Sequence, residues 1–111
     1  MITNGGGLGF MTTDALDALD LTIPFPAKVL TELLRGRVPS YCAIGNPIDV
    51  VGDANSSRYD AVFEEAIKSG EYDMFVVGML LQTPSLSMEI TNVIANHQSQ
   101  LQCLWVHFRK L

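Results

Sequence analysis

Two aspartates stand four positions apart in the segment Gly45–Ala54, which runs Gly-Asn-Pro-Ile-Asp-Val-Val-Gly-Asp-Ala. Paired carboxylates can act as general acid and general base when their surroundings hold them in different protonation states. Within one short loop, Asp and Asn more often bond nearby backbone N–H groups and cap the following helix. Asp49 and Asp53 are expected to do that, and no catalytic residue is assigned. A magnesium ion here would need oxygen ligands from elsewhere, so no metal site is assigned either. His97, near a helix end, and His107, near the end of the last strand, are expected in surface or packing roles.

Two further segments have the composition of ligand loops. Asn4-Gly5-Gly6-Gly7-Leu8-Gly9 follows the apolar stub Met1-Ile2-Thr3, and Gln82-Thr83-Pro84-Ser85 follows the apolar run Met74–Leu81. Strand, glycine loop and helix in succession aim free N–H groups and a helix N-terminus at an anion. The glycines do not keep the dinucleotide spacing Gly-x-Gly-x-x-Gly, and no Gly-Lys-Ser/Thr follows them. A nucleotide P-loop is therefore not supported.

The elements that must carry these loops fit one small domain of 111 residues, 48% hydrophobic and 17% charged. That balance suits a buried sheet rather than disorder. A net charge of −5 argues against nucleic acid as a partner, since phosphate backbones need clustered Lys and Arg. Arg109-Lys110 reads as a short solvated tail. Cys42 and Cys103 each lie in an apolar run and are expected to be buried thiols in a reducing compartment. They could pair only if their strands were neighbours. No secretory signal is visible and no apolar stretch approaches a membrane span, so the cytoplasm is expected and no membrane partner.

Periodicity predicts a helix over Phe10–Leu19 with Met11, Ala15, Ala18 and Leu19 on its apolar face. A surface linker with Pro24 and Pro26 follows, then a helix over Ala27–Arg35 burying Val29, Leu30, Leu33 and Leu34. Tyr41–Ile44 is predicted as a short strand, and Gly45–Ala54 as the loop after it. Arg58–Ser69 carries Tyr59, Val62, Phe63, Ala66 and Ile67 on one stripe, with a cap at Asn55, Ser56 or Ser57 and Gly70 as its stop. Met74–Leu81 lacks alternation and is expected to be covered on both faces. A helix capped by Thr83, with Pro84 first and Leu86, Ile90, Val93 and Ile94 inward, should run to about His97. Leu101–Phe108 is the last strand. Met74, Met79 and Met88 are expected in the core, and Trp105 in the core or an interface. The order β-α-α-β-α-β-α-β describes a three-layer, open, mostly parallel α/β sheet with helices on both faces. All three loops would then gather along its carboxyl edge, where such folds bind ligands.

Thr3-Asn4-Gly5-Gly6-Gly7, Thr13-Asp14-Ala15, Asn46-Pro47-Ile48-Asp49-Val50-Val51-Gly52-Asp53-Ala54 and Arg58-Tyr59 together resemble the acyl-CoA synthetases that form ATP from ADP. These are the nucleoside-diphosphate-forming relatives of succinyl-CoA synthetase. The resemblance is to their flavodoxin-like CoA-ligase domain and covers nearly the whole chain. It rests on Asn-Pro-x-Asp-x-x-Gly-Asp-Ala standing at this distance from Thr-Asn-x-Gly-Gly.

The resemblance implies a three-step reaction. Acyl-CoA and phosphate give acyl phosphate, a histidine takes the phosphoryl group, and ADP receives it. It further implies that this domain supplies no nucleophile and holds the phosphate with a helix N-terminus and small polar residues. The matching helix would start at Thr83-Pro84-Ser85, where the succinyl enzymes have a glycine pair; Pro84 offers no N–H. Asn4, Gly5, Gly6, Gly7, Asn46, Pro47, Asp49, Gly52, Asp53, Gln82, Thr83 and Ser85 are the resulting candidates for phosphate binding or domain docking. CoA, ATP or ADP and Mg would belong to the full enzyme, with no cofactor bound by this domain alone. Partners would be the histidine-bearing CoA-binding domain and an ATP-grasp domain, neither of which this sequence contains. Residues 1–111 are thus expected to be one domain of a larger subunit, truncated at both ends. Unpaired sheet edges would favour oligomers. Two rivals suit the same loops: a noncatalytic regulatory module, as in fused protein acyltransferases, and a flavodoxin-like domain binding a small anion.

Overall fold

The computed structural model describes residues 1–101 with their side chains, and the backbone of Cys103–Arg109. The elements are β1 (Ile2–Thr3), α1 (Gly6–Asp17), α2 (Lys28–Arg35), β2 (Ile48–Asp49), α3 (Ser56–Ser69), β3 (Met74–Leu80), α4 (Ile90–Gln98) and β4 (Cys103–Arg109). The four strands form one parallel sheet in the order β2-β1-β3-β4.

Register assigns the two faces. Ile2, Ile48 and Val77 lie side by side, as do Thr3, Asp49 and Gly78. The first set joins Phe75 and Met79 in a core completed by α2, α3 and α4. The second set faces α1: a Cβ at Gly78 would come within 3.0 Å of Leu8 Cδ2, and one at Gly9 within 2.9 Å of Thr3 Cγ2. The result is the expected three-layer, open, parallel α/β architecture.

The α3 helix forms as its pattern predicts. Tyr59, Val62, Phe63 and Ala66 are buried, Asn55 Oδ1 accepts from Arg58 N–H at 3.0 Å, and Gly70 ends the helix at φ 67°. On the exposed side Lys68 reaches Glu64 at 2.7 Å, and Arg37 joins them at 2.8 Å.

Elsewhere the structure corrects the expectation. Tyr41–Ile44 is not a strand, since only Ala43 pairs there, in an isolated antiparallel bridge to Asp49. The strand lies inside the segment read as a loop, where Ile48 and Val50 alternate as buried residues around half-buried Asp49. Pro47 costs no ladder bond because it precedes the strand. The first helix begins at Gly6 rather than Phe10, so the glycines form its first turn. Its buried face is Gly9 and Thr13, while Phe10, Met11 and Leu19 are exposed. Close backbone approach, not side-chain size, chose that face. The eight-residue α2 buries only Leu30 and Leu34, leaving Val29 and Leu33 outside.

On β3 the core face is fully buried, but Met74, Val76 and Leu80 on the α1 face are half-buried. The end of α1 and the linker after it leave a cleft of about 500 Å³ over Met74 and Val76. The last described helix starts at Ile90, seven residues after Thr83. Turns fill the interval, with Leu86 N–H donating to Thr83 C=O and Ile90 N–H to Ser87 C=O. Leu86, Ile90 and Ile94 still face the core, but Met88 is exposed. No helix among the described residues is long and apolar enough to cross a membrane.

Candidate functional site

The carboxyl edge of the sheet brings together the segments after β1, β2 and β3. After β1 the chain turns at once into α1. Gly5 is its N-cap, without a side-chain cap, and the first helical bond runs from Gly9 N–H to Gly5 C=O at 3.0 Å. The N–H groups of Gly6, Gly7 and Leu8 therefore have no partner within the helix. A Cβ at Gly7 would meet nothing within 4 Å, so this turn opens outward.

Beside it stands Asp49. One carboxylate oxygen accepts from Val51 N–H at 2.9 Å, the self-bonding role expected of a loop aspartate. The other lies 2.8 Å from where a Cβ on Gly6 would be, so a side chain at position 6 would strike it. Val51 adopts φ 68°, a left-handed conformation that costs a β-branched residue on the order of 1–3 kcal/mol. Its neighbours hold it there, since Ala54 N–H donates to Val51 C=O at 3.0 Å and Val50 N–H to Thr3 C=O at 2.8 Å. Gly52 comes next, and its Cβ position would lie 3.9 Å from Thr83 Cγ2, so the loops after β2 and β3 face each other.

Asn4 joins β1 to the end of β3. Its Oδ1 accepts from Leu80 N–H at 2.8 Å, and its Nδ2 donates to Leu80 C=O at 3.2 Å and Thr83 Oγ1 at 3.3 Å. The Thr83 hydroxyl donates in turn to Leu80 C=O at 3.0 Å. Thr83 is thus a turn residue rather than the cap of a phosphate-facing helix. Gln82 and Ser85 flank it and are exposed.

Asp53 sits at the rim as an anchor. Arg58 donates to it at 2.5 Å and to Val50 C=O at 2.8 Å, and the Tyr41 hydroxyl also donates to it. The Arg58 bond first, and the Tyr41 bond second, hold the Asp53 carboxyl below the usual carboxylate range. A carboxylate so engaged is a poor general base. Tyr41 and the Leu8 N–H were not marked in the sequence; the exposed Tyr41 gives no signal until its partner across the loop is known.

Asn46 and Pro47 stand apart from this group. They precede β2, joined by a cis peptide bond, and lie toward the amino edge. Asn46 accepts from the Met1 nitrogen at 2.9 Å and donates to Pro24 C=O at 2.9 Å, while Pro47 packs against Gly9. His97 stacks on Phe63 with centroids 5.5 Å apart and meets Asp60 at 2.6 Å, a packing role in the helical layer. The Cys42 thiol is buried, and burial pushes its pKa up. It adjoins β2, which two strands separate from β4, the strand holding Cys103. The side chains of Cys103, Trp105 and His107 lie outside the described residues. Among the described residues, no group of three His, Cys, Asp or Glu could hold a metal ion.

Comparison with known proteins bears out the resemblance carried by the Asn4 and Asn46 segments. The model of the Ligase-CoA domain family matches residues 1–102. The alpha subunit of ADP-forming acetate–CoA ligase I from Pyrococcus furiosus is 30% identical over 77 residues, which is 69% of this chain and 16% of that protein. The alpha subunit of the second such ligase from the same organism is 25% identical over 83 residues, 75% of this chain and 18% of that protein. The chain therefore spans less than a fifth of the length of these relatives. Two solved structures share the fold. A crystallised protein from Pyrococcus horikoshii OT3 superposes with a TM-score of 0.82 at 22% identity, covering 99% of this chain and 26% of that one. The dinucleotide-forming acetyl-coenzyme A synthetase 1 of Ca. Korarchaeum cryptofilum, solved with phosphate and ADP, gives 0.77 at 24% identity, covering 95% of this chain and 24% of that one. By the match of the family model to residues 1–102, the chain belongs to the Ligase-CoA domain family.

Proposed function

We propose that this chain is the phosphate-positioning, domain-docking part of an NDP-forming acyl-CoA synthetase. The full enzyme interconverts acyl-CoA, ADP and phosphate with carboxylic acid, CoA and ATP. Phosphate oxygen attacks the thioester carbonyl, CoA leaves as the thiol, and acyl phosphate forms. A histidine of the partner CoA-binding domain takes the phosphoryl group and releases the carboxylate, and ADP receives it on an ATP-grasp domain. CoA, ATP or ADP and Mg are bound by those other domains. The reducing cytoplasm suits the buried thiol of Cys42.

The observation that carries this reading is the uncapped N-terminus of α1. Three N–H groups without a helical partner and the positive end of the helix dipole face the carboxyl edge, with the Asp49 carboxylate beside Gly6 and open space at Gly7, which supports an anion on the Gly7 side of the turn. Asp49, Asp53 and Thr83 are bonded internally, which accords with a domain that holds the phosphoryl group and supplies no nucleophile.

The test is Gly7→Asp in the complete polypeptide with its partner domains. The Cβ has open space, and a carboxylate in the first turn favours the helix by about 0.3–1 kcal/mol, so the fold survives. The added charge occupies the anion position and should abolish acyl-CoA-dependent ATP formation. Unchanged turnover would overturn the assignment.

A further inference from the structure

We propose that Asn4 is a positioning residue that locks the Gln82–Ser85 turn to the N-terminus of α1, so that two walls of the phosphate site hold one geometry. This rests on the phosphate reading above and deepens it. β1 is two residues long and its register ends with Thr3 opposite Gly78. Beyond that point, among the described residues, no strand backbone pairs with β3 on this side. The Asn4 amide replaces one, accepting from Leu80 N–H at 2.8 Å and donating to Leu80 C=O at 3.2 Å.

The second hydrogen of the same amide goes to Thr83 Oγ1 at 3.3 Å. The Thr83 hydroxyl spends its own hydrogen on Leu80 C=O, so the Asn4–Leu80–Thr83 triangle is closed. Its methyl is thereby turned toward Gly52. Gly5, the N-cap of α1, follows Asn4 directly in the chain. Asn4 is 3% exposed and both its amide hydrogens are used, so it acts through the turn and touches no ligand. The geometry demands an amide of this length. Aspartate lacks the donors, leucine lacks every polar atom, and glutamine is one methylene too long.

The experiment varies inorganic phosphate in the complete polypeptide with its partner domains, measuring acyl-CoA-dependent ATP formation. Thr83→Val keeps the side-chain shape and removes the hydroxyl. It should raise KM for phosphate roughly tenfold to a hundredfold, the scale of a misplaced binding wall. KM for ADP should stay within roughly twofold, because that site lies on another domain. Asn4→Asp should do the same, and the double variant should be no worse than the worse single, since both break one unit. A purely structural role would lower stability without this selective change in KM.

If Asn4→Asp does not fold, Thr83→Val decides alone. Unchanged KM for phosphate in folded Thr83→Val overturns the positioning role, as do additive effects in the double variant. Gly7→Asp separates the two failures. Its loss of activity beside an unchanged Thr83→Val leaves the phosphate reading standing, whereas full activity in all three variants removes both.

Discussion

Replacing Gly9 with alanine sets two effects of similar size against each other. Alanine in a helix interior is favoured over glycine by about 1 kcal/mol. Against this, the new Cβ would lie 2.9 Å from Pro47 Cγ, 2.9 Å from Thr3 Cγ2 and 3.1 Å from Pro47 Cβ. Comfortable carbon contacts begin at about 3.5 Å, so α1 must move off the sheet by roughly 0.5 Å. Neither neighbour can yield. The proline ring is rigid, and Thr3 is fully buried with its hydroxyl committed to Gly5 N–H at 3.1 Å and Gly5 C=O at 3.2 Å. Overpacking of this kind costs about 1–3 kcal/mol. The net expectation is a loss of about 0–2 kcal/mol. Gly7→Ala is the matched control, since its Cβ meets nothing and it keeps whatever the helix gains, up to about 1 kcal/mol. Urea unfolding of both variants should place Gly9→Ala below Gly7→Ala by about 2 kcal/mol, with unchanged m-values. Equal midpoints would refute the claim that α1 is held to the sheet by close approach at Gly9.

Gly70→Ala should cost about 1 kcal/mol in the same assay, because the residue stands at φ 67° with open space around it, leaving backbone strain as the whole effect. Asn55→Ala removes the side-chain acceptor for Arg58 N–H and should cost about 1 kcal/mol, while Asn55→Ser should recover most of it. Glu64 titrates near pH 2 in the fold because Lys68 and then Arg37 hydrogen-bond its carboxylate, against an ordinary value of 4.5. A depressed carboxylate stabilises the fold above the unfolded value and loses that contribution as pH falls, here between 4.5 and about 2. Replacing both Lys68 and Arg37 by glutamine should flatten the dependence of the urea midpoint on pH across that window. At neutral pH the loss of the two Glu64 pairs should matter little, since both are exposed to solvent screening, and what remains of the change comes from the third pair Arg37 gives up, at 2.5 Å to the more enclosed Glu65.

The parts of the fold that were legible in the sequence are those where one local rule acts without competition. In α3 the stripe, the Asn55 cap and the Gly70 stop agree, and the helix forms where they place it. The order of elements and the parallel sheet follow from the same kind of consistency. The misplacements come from residues whose role depends on distant partners. Asp49 and Gly52 give positions 45–54 the composition of a loop, yet Ile48 and Val50 need a buried face and β1 supplies a ladder, so a strand forms there. Thr83-Pro84 has the form of a helix start, but Asn4, more than seventy positions away, and Leu80 claim the threonine hydroxyl, and the helix starts at Ile90 instead. Glycines discourage a helix by propensity, yet at Gly9 a Cβ would strike Pro47 and Thr3 and at Gly6 it would crowd the Asp49 carboxylate, so glycines let the helix reach back to the strand. The carboxyl edge was expected to offer two helix N-termini, one after β1 and one after β3, and the N–H groups without a helical partner belong to the one after β1. The same contacts that made α1 illegible, Gly6 beside Asp49 and Gly9 against Pro47 and Thr3, start the helix directly after β1 with a glycine N-cap that has no side chain to bond its first N–H groups.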